Sequence, residues 1–292
     1  MALVRRPLGQ TGMQVSALGF GAGPLGDASI DDETAELLLR NAIELGIVVF
    51  DTAPSYGASE ARLGRLLASM SKRDRDELVI VTKGGYGVAG VTDWTPEVIE
   101  RGVDEALSRL ATDRIDVFLL HSCPRERLER GDLLAPLERV RRSGKVRAIG
   151  YSGDGDALAW AIRCSTFDVV ECSLNIVDQE ALGQLPTAKA RGLGVIAKRA
   201  LAGAPWRDPT SPYVGRWRAA FGDSLGGLDP DELAIRFAAY ATGVDTALTG
   251  TRRLEHLYRA ATYVARGPLP SELQDEIVRR FAAQGGSWPG II

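Results

Sequence analysis

Short apolar stretches alternate with helical patterns eight times along this chain of 292 residues, and this alternation limits the fold more than any other feature. The stretches are rich in β-branched residues and span residues 17–20, 47–50, 78–81, 115–120, 146–149, 169–171, 193–197 and 245–248. Strands that alternate with helices form parallel sheets, and eight such units in about 250 residues is the usual size of a closed barrel. The sequence therefore predicts an α/β protein, a (β/α)8 TIM barrel with residues 1–292 in a single domain.

Apolar side chains recur at helical spacing between the stretches. In residues 32–45 they follow a 3.6-residue period, and Gly46 closes the segment as glycine commonly does at a helix end. Thr95 is a good N-cap residue and Pro96 suits the first helical position, so a helix is predicted to begin there. The same pattern predicts helices over residues 156–163, 178–190 and 230–241.

Two segments are predicted in addition to the eight strand–helix units of the barrel. Residues 3–16 have the pattern of a β-hairpin that turns at residues 10–12, ahead of the first predicted strand. Residues 199–229 form a long connection that carries several prolines and tryptophans. Connections of this length in compact domains are usually lids or binding loops, so we expect this segment to cover a ligand.

Composition and charge exclude several classes of function. The formal net charge is −3, so neither a nucleic-acid partner nor an anionic membrane surface is predicted. No apolar run is long enough to cross a bilayer. The 3 cysteines have no Cys-x-x-Cys spacing and the first residues lack an apolar signal core, so we expect reduced thiols, no metal site and a cytoplasmic location.

Residues 46–64 place an acid and a phenol at the carboxyl end of a predicted strand. Asp51 ends the second strand and Tyr56 follows it, while Lys83 and His121 end the third and fourth strands. Because the carboxyl ends of barrel strands share one face, where enzymes of this fold hold their catalytic residues, we expect these side chains to meet. Each alone fits a structural role, but four titratable groups at three consecutive strand ends favour an active site.

These residue types fit proton transfer at a carbonyl oxygen. A nearby ammonium favours the phenolate, so we expect Lys83 to lower the pKa of Tyr56 from its usual value of about 10. Asp51 would keep Lys83 charged in a pocket of low dielectric constant. Tyr56 would then act as general acid or base, and His121 would donate a hydrogen bond to the same oxygen. The set holds no nucleophile–base pair, so the reaction needs an external source of hydride.

A dinucleotide-binding fold of the Rossmann type is the main alternative. Residues 21–26 match its glycine-rich motif after a predicted strand, and Asp51 lies near where such a fold would bind a ribose. However, Pro24 lies inside the loop, and the next helical pattern begins only after residue 30, too far from the glycines to hold a pyrophosphate with them. A Rossmann fold also gives no role to Tyr56.

The motifs resemble those of the aldo-keto reductase family over nearly the full length of the chain. The resemblance rests on Gly-x-x-x-Phe-Asp-Thr-Ala-x-x-Tyr-Gly-x-Ser-Glu-x-x-Leu-Gly at residues 46–64, Thr-Lys at 82–83, Asp-x-x-x-Leu-His at 116–121 and Gly-Lys-Val-Arg-Ala-Ile-Gly-x-Ser at 144–152. It implies a (β/α)8 barrel whose base is closed by an N-terminal β-hairpin and NADP(H) bound in extended form across the carboxyl face. It also implies a catalytic tetrad of Asp51, Tyr56, Lys83 and His121.

The resemblance further implies contacts to the cofactor. Ser152 matches the position that holds the nicotinamide amide, and residues 200–201 fall where the pyrophosphate is covered. Thr251 and Arg252 match the segment that receives the 2′-phosphate, a group that a guanidinium suits. The full set of implied cofactor residues is Gly21, Ala22, Asp51, Ser152, Glu171, Lys198, Arg199, Ala200, Leu201, Gly250, Thr251 and Arg252.

Three positions depart from the family pattern at the nicotinamide end. Gly153 stands where the family usually has asparagine, and Glu171 stands where it usually has glutamine. An ionised glutamate accepts hydrogen bonds and cannot donate them. Lys198 takes the place of a tyrosine that many members stack on the nicotinamide ring.

Together the tetrad and the resemblance predict an NADP(H)-dependent aldo-keto reductase that transfers hydride between nicotinamide and the carbonyl carbon of an aldehyde, ketone or sugar. NAD(H) is not excluded, and two alternatives stay open: an NAD-linked sugar dehydrogenase, and a cofactor-sensing barrel with little catalysis. The partner is a small-molecule carbonyl or alcohol substrate, and the sequence carries no signal for an oligomeric state. The substrate pocket is expected near Pro24, Tyr86, Trp94, Cys123, residues 206–217 and Trp288.

Overall fold

Eight parallel strands close a barrel in the structure, a computed structural model that describes residues 3–222 and 227–284. The strands are β1 (Arg5–Pro7), β2 (Gln14–Ser16), β3 (Leu18–Gly21), β4 (Val49–Asp51), β5 (Val79–Gly84), β6 (Ile115–His121), β7 (Val146–Ser152), β8 (Val169–Ser173), β9 (Gly194–Lys198) and β10 (Thr246–Thr249). Barrel neighbours follow chain order from β3 to β10, and β10 pairs with β3. The predicted (β/α)8 barrel is confirmed.

The strand register brings the predicted site residues to one level at the carboxyl face. Asp51 is the last residue of β4, and Lys83 is the penultimate residue of β5. Ser152 on β7 lies opposite His121 on one side and Glu171 on the other. Residues that are about 20 to 40 positions apart in sequence therefore come together at the carboxyl face of the barrel.

An antiparallel hairpin closes the amino end of the barrel, as predicted. β1 pairs with β2, with Arg5 opposite Ser16. Leu8 in the turn is fully buried, and the amide of Gly9 donates to Oδ2 of Asp245 at 3.1 Å, just ahead of β10. The hairpin therefore covers the face opposite to the one where the predicted tetrad lies.

Helices pack around the barrel between successive strands. They are α1 (Asp32–Glu44), α2 (Ser59–Ala68), α3 (Lys72–Asp76), α4 (Pro96–Arg109), α5 (Arg125–Leu128), α6 (Leu134–Arg142), α7 (Gly155–Arg163), α8 (Leu185–Ala190), α9 (Val214–Ala220), α10 (Pro230–Tyr240), α11 (Leu254–Ala265) and α12 (Ser271–Ala283). Thr95 caps α4 by accepting a hydrogen bond from the amide of Val98, as its sequence predicts. None of the helices formed by the described residues combines the length and apolar character of a membrane span.

The structure differs from the prediction over residues 178–190, where only the second half is α-helical. A 3-10 turn covers Glu180–Gly183, and α8 follows it. Asp178 instead forms an isolated antiparallel bridge with Asn175, and its carboxylate accepts a hydrogen bond from the hydroxyl of Tyr213 at 3.1 Å. The bridge to Asn175 is local, but Tyr213 is 35 residues away in sequence. Both contacts use Asp178 outside a helix, and apolar periodicity carries no signal for them.

The described part of the long connection, residues 199–222 and 227–229, lies against the carboxyl face and contains α9. Three aromatic rings pack in a row within it. The ring centroids of Trp206 and Trp217 are 5.1 Å apart, and those of Trp217 and Phe221 are 5.3 Å apart. The indole of Trp206 donates to Oδ1 of Asp231 at 2.8 Å, which ties the connection to the start of α10. Residues 223–226, and Trp288 in the predicted substrate pocket, lie outside the described residues.

The glycine-rich segment at residues 21–26 belongs to the barrel, and the Rossmann alternative is wrong. Gly23–Gly26 form one 3-10 turn, and α1 begins only at Asp32. The amide of Ala22 donates to the carbonyl of Asp51 at 2.7 Å, so the segment runs beside the loop that carries Tyr56. The closed barrel that the described residues form also leaves no sheet edge at which a dinucleotide could cross between two halves.

Candidate active site

The predicted tetrad lies at the carboxyl face of the barrel. Asp51, Tyr56 and His121 line a cleft of about 570 Å³. Lys83 lies beneath them and is only 1% exposed. A tight turn after β4 places Tyr56, because its amide donates to the carbonyl of Ala53 at 3.0 Å. The four side chains that sequence places at strand ends thus meet in one site.

A lysine between two carboxylates forms the floor of this cleft. Nζ of Lys83 lies 2.6 Å from each carboxylate oxygen of Asp51 and 3.6 Å from Oε1 of Glu171. Burial alone would lower the pKa of Lys83, but the two carboxylates outweigh burial and raise it above its ordinary value. Lys83 therefore stays an ammonium in a dry environment, as its pairing with Asp51 predicts.

The two carboxyl groups on Lys83 differ in their surroundings. Burial, together with the negative charge of Glu171, raises the pKa of Asp51 well above its ordinary value. Burial also acts to raise the pKa of Glu171, but the ammonium groups of Lys83 and Lys198 lower it to about 2. Glu171 is thus the carboxylate that retains its charge most firmly.

Tyr56 lies with its ring over the ammonium of Lys83 and edge-on to His121. Nζ of Lys83 is 5.3 Å from the ring centroid of Tyr56, and the two aromatic centroids of Tyr56 and His121 are 5.9 Å apart. Burial raises the pKa of Tyr56 to about 12, and the lowering effect of Lys83 does not offset it. The predicted fall in this pKa is therefore wrong, because burial outweighs Lys83 and because Asp51 and Glu171 balance much of its charge. Tyr56 is a neutral phenol at neutral pH, the form that a proton donor needs.

His121 lines the cleft in its neutral form. Burial, followed by the charge of Lys83, lowers its pKa to about 4. Its Nδ1 lies 2.6 Å from the hydroxyl of Tyr86. A neutral imidazole has one N–H to donate, so His121 can serve as a hydrogen-bond donor without competing with Tyr56 as the acid.

Most residues that the family resemblance assigns to the cofactor line the same cleft. Besides Asp51, those that do are Gly21, Glu171, Lys198, Arg199, Ala200, Leu201, Gly250 and Thr251. Three do not: Ala22 and Ser152 are fully buried behind the cleft wall, and Arg252 lines a shallower depression next to it. The assignments of Ala22 and Ser152 to direct contact are therefore not supported by their placement.

The residues that the resemblance assigns to the nicotinamide pack differently from the family pattern. A Cβ atom added to Gly153 would lie 2.1 Å from the hydroxyl of Tyr151, so the ring of Tyr151 occupies the space that an asparagine would need. Ser152 Oγ donates to Oε1 of Glu171 at 2.8 Å, and Nζ of Lys198 lies 3.2 Å from Ser152 Oγ. Ser152 thus contacts Glu171 and Lys198 and does not line the cleft.

Glu171 retains an unused acceptor that fits a nicotinamide carboxamide. Its Oε2 is buried and has no hydrogen-bond partner in the described residues, although the side chain lines the cleft. A buried carboxylate oxygen without a donor is costly, and the amide NH2 of a nicotinamide supplies such a donor. Lys198, 15% exposed at its side chain, adds a donor for the amide oxygen. These residues therefore fit a nicotinamide cofactor.

A shallower depression with basic side chains lies beside the cleft. It is lined by Pro24, Gly250, Thr251, Arg252, Arg253 and His256. Arg252 forms an ion pair with Asp27 at 2.8 Å, with 54% and 36% of the two side chains exposed. A phosphate that binds here would compete with Asp27 for the guanidinium.

The structure adds residues to the cleft that sequence reasoning missed. Asp231 at the start of α10 accepts a hydrogen bond from Trp206 and pairs with Arg207 at 2.8 Å, and both Asp231 and Arg207 line the cleft. Arg259 and Tyr263 on α11 also line it. An acid after a proline is typical of a helix start, so the sequence carries no signal that separates Asp231 from an ordinary capping residue.

The prediction for the substrate pocket is met only in part. From residues 206–217 the cleft is lined by Arg207, Pro212 and Tyr213, whereas Tyr86, Trp94 and Trp206 do not line it. Cys123 is fully buried, and Trp217 is buried in the stack with Trp206 and Phe221, so neither lines the cleft. Pro24 does line it. Tyr86 contacts His121 and packs against Trp94, with ring centroids 5.8 Å apart. These two aromatic residues therefore form a wall beside the tetrad.

Comparison with known proteins identifies the family. The profile of the aldo/keto reductase family matches residues 17–211. L-galactose dehydrogenase of Arabidopsis thaliana is 34% identical over 228 residues, covering 72% of this chain and 71% of the relative. D-threo-aldose 1-dehydrogenase of a Pseudomonas species is 30% identical over 273 residues, covering 81% and 80% of the two chains.

A solved structure gives the same result. The putative aldo-keto reductase of Pseudomonas aeruginosa superimposes with a TM-score of 0.73 at 32% identity, over 90% of this chain and 94% of the other. Members of this family typically bind a nicotinamide cofactor, which agrees with the fit of Glu171 and Lys198 to a carboxamide. The closed barrel, the sequence profile and the relatives agree, and the chain is an oxidoreductase that belongs to the aldo-keto reductase family.

Proposed function

We propose that this protein transfers hydride between NADP(H) and the carbonyl carbon of an aldehyde, ketone or sugar, with Tyr56 as general acid and base. The observation that carries the proposal is the buried contact between Lys83 and Asp51, 2.6 Å, directly beneath a phenol and an imidazole that line one cleft. A buried ion pair is expensive to build for structure alone, and its position beside Tyr56 gives it a role in proton transfer.

In the reducing direction, the nicotinamide supplies the hydride when the cofactor is bound. Neutral Tyr56 gives its proton to the carbonyl oxygen, and the nearby ammonium of Lys83 stabilises the phenolate that remains. His121 donates a hydrogen bond to the same oxygen. In the oxidising direction the phenolate of Tyr56 accepts the proton of the alcohol. Asp51 and Glu171 together keep Lys83 charged in both directions.

This chain's residues would hold the two ends of the cofactor differently. Glu171 and Lys198 would hold the carboxamide at the nicotinamide end. Thr251 and Arg252 would receive the 2′-phosphate, where the guanidinium suits a dianion. The segment over residues 199–204, which lines the cleft between these ends, would cover the pyrophosphate.

A Tyr56→Phe variant tests the proposed mechanism. Removing the hydroxyl removes the acid, and we expect turnover of aldehydes to fall by at least about a thousandfold, within the range for one acid–base group. NADPH binding, followed by quenching of tryptophan fluorescence, should change little because the ring remains. Tyr258→Phe serves as the control, since its hydroxyl contacts Asn41 on the surface. Wild-type turnover by Tyr56→Phe would contradict the proposal.

An NAD-linked sugar dehydrogenase is the second candidate, and two observations favour it. Two relatives are named L-galactose dehydrogenase and D-threo-aldose 1-dehydrogenase. In addition, Arg252 is already paired with Asp27, which weakens its attraction for a 2′-phosphate. Initial rates with a panel of aldoses and NAD⁺ or NADP⁺, beside a panel of aldehydes with NADH or NADPH, separate the two candidates.

A further inference from the structure

The hydroxyl of Tyr86 lies between two polar groups at the edge of the cleft. It is 2.6 Å from Nδ1 of His121 and 3.0 Å from Oγ of Ser55. Tyr86 follows β5, two residues after its last residue, and Ser55 precedes Tyr56 in the turn after β4. The contact therefore joins the loops of two strands to the imidazole at the end of a third.

We propose that Tyr86 is a positioning residue for the reaction, which donates its hydroxyl hydrogen to Nδ1 of His121 and so keeps the imidazole hydrogen on Nε2. A neutral imidazole holds one hydrogen, on one nitrogen or the other. With Nδ1 occupied as an acceptor, Nε2–H is the donor that remains for a substrate oxygen. The inference rests on the proposed function, because it gives His121 the hydrogen-bond donor that hydride transfer to a carbonyl needs.

The direction of the hydrogen bond follows from the two partners of Tyr86. The contact with Nδ1 is the shorter one, and an imidazole nitrogen is a stronger acceptor than a serine hydroxyl. The contact with Ser55 has the geometry of a bond that Tyr86 donates, but Tyr86 has a single hydrogen, and Ser55 is exposed, so water can replace Tyr86 as the partner of Ser55. The single hydrogen of Tyr86 therefore goes to the shorter contact, which has the stronger acceptor.

The charges around His121 keep it in the neutral form that this arrangement requires. The pKa of His121 is lowered most by burial. It is lowered further by the positive charges of Lys83 on β5, Lys198 at the end of β9 and Arg199 after it. Glu171 from β8 acts in the opposite direction and does not offset them. The imidazole thus has a choice of two neutral tautomers, and the contact with Tyr86 selects between them.

Packing holds Tyr86 in the position that this selection needs. Its ring lies 5.8 Å from that of Trp94 at an angle of 62°, and 5.6 Å from that of His121. The carbonyl of Trp94 accepts a hydrogen bond from Nε of Arg127 at 2.8 Å, which fixes the far side of the wall. Tyr86→Phe keeps this packing and removes only the hydroxyl.

The chain has 2 histidines, His121 and His256, so nitrogen-15 NMR of histidine-labelled protein reads the tautomer directly. His256→Gln assigns the two sets of signals. In the wild type we expect the hydrogen of His121 on Nε2 and a bare Nδ1, and in Tyr86→Phe a mixture of the two tautomers. A hydrogen on Nδ1 in the wild type, or the same pure tautomer in Tyr86→Phe, would overturn the proposal. Because this measurement needs no turnover, it stands even if no carbonyl substrate is reduced.

Kinetics of the same variants give the second readout. We expect Tyr86→Phe to lower kcat for aldehyde reduction about tenfold, the effect of losing a hydrogen bond of ordinary strength, with little change in KM. Ser55→Ala should leave the tautomer of His121 unchanged, because Tyr86 still donates to Nδ1. A change of tautomer in Ser55→Ala would show that Tyr86 donates to Ser55 and would also overturn the proposal. Tyr258→Phe is the matched control for loss of a phenol hydroxyl.

Discussion

At the scale of a single residue, Glu171 adds a negative charge to the site that the glutamine of the family pattern would not have. Where the family pattern has a neutral glutamine, this chain places a carboxylate 3.6 Å from Nζ of Lys83, so the lysine beneath Tyr56 faces two acids. After burial, the negative charge of Glu171 is one of the effects that raise the pKa of Tyr56 to about 12. In the proposed mechanism, the identity of this residue therefore affects the pKa of the acid, Tyr56, as well as the contact with the carboxamide.

A Glu171→Gln variant should move the pH profile of alcohol oxidation to lower pH. Oxidation needs the phenolate of Tyr56, so its rate rises as pH approaches the pKa of that phenol. Removing the carboxylate lowers this pKa, and a pKa that is lower by about one raises the rate about tenfold at a fixed pH below it. The logarithm of kcat/KM against pH measures the change. Glu60→Gln is the control, since Glu60 is a buried carboxylate that binds Thr82 and Arg109 outside the cleft. An unchanged profile in Glu171→Gln would contradict this account of Tyr56.

At the scale of secondary-structure elements, the loops after the strands carry the site residues and the hairpin closes the opposite end of the barrel. The loops after β4 and β5 carry Tyr56 and Tyr86, and the end of β6 carries His121, all at one face. The β1–β2 hairpin closes the other face, where Gly9 has a φ of +51° and donates to Asp245. Substitutions at the hairpin face should therefore affect stability, because the residues that line the cleft lie at the opposite end of the barrel.

Gly9→Ala should destabilise the protein without changing the activity of the folded molecules. A Cβ atom at this position would lie 2.3 Å from the amide nitrogen of Gly194, and the positive φ adds strain. We expect a loss of about 3 kcal/mol in the free energy of unfolding, measured by urea denaturation.

Gly12→Ala is the matched control for the hairpin. Gly12 also has a positive φ, +76°, but an added Cβ atom meets nothing within 4 Å. The backbone strain alone should cost about 1 kcal/mol. Equal losses of stability in the two variants would show that the close approach of Gly9 to Gly194 does not matter for the stability of the hairpin.

At the scale of the whole molecule, the proposed cofactor site spans the cleft from Glu171 to the basic depression beside Thr251. The ion pair of Arg252 with Asp27 lies at the end of that path. It is half exposed, so its own contribution to stability is small. If the proposed phosphate site is correct, this ion pair competes with the phosphate for the guanidinium of Arg252.

Arg252→Ala should weaken the binding of NADPH about fivefold and leave that of NADH unchanged. The factor corresponds to about 1 kcal/mol, a charge-assisted hydrogen bond discounted for exposure to solvent. Asp27→Asn should act in the opposite direction, because it frees the guanidinium. Titration of both cofactors by tryptophan fluorescence measures these dissociation constants. Equal affinity of the wild type for NADPH and NADH would contradict a phosphate site at Arg252.

Sequence alone predicts the barrel, the hairpin and the meeting of Asp51, Tyr56, Lys83 and His121. It can do so because the periodicity of apolar residues determines strands and helices locally, and because the ends of parallel strands converge whatever the details of packing. The prediction of a helix over residues 178–190 failed where a tertiary contact, from Tyr213 to Asp178, overrode the local pattern.

Tertiary structure alone decided the electrostatics and the fine contacts of the site. The direction in which the pKa of Tyr56 moves depends on the balance between burial, one ammonium and two carboxylates from three strands. The contact of Tyr86 with His121 and the pairing of Arg252 with Asp27 join residues that are 35 and 225 positions apart. Such balances depend on distances of a few ångströms, because electrostatic and hydrogen-bond energies change steeply over that range, and no local pattern in the chain encodes those distances.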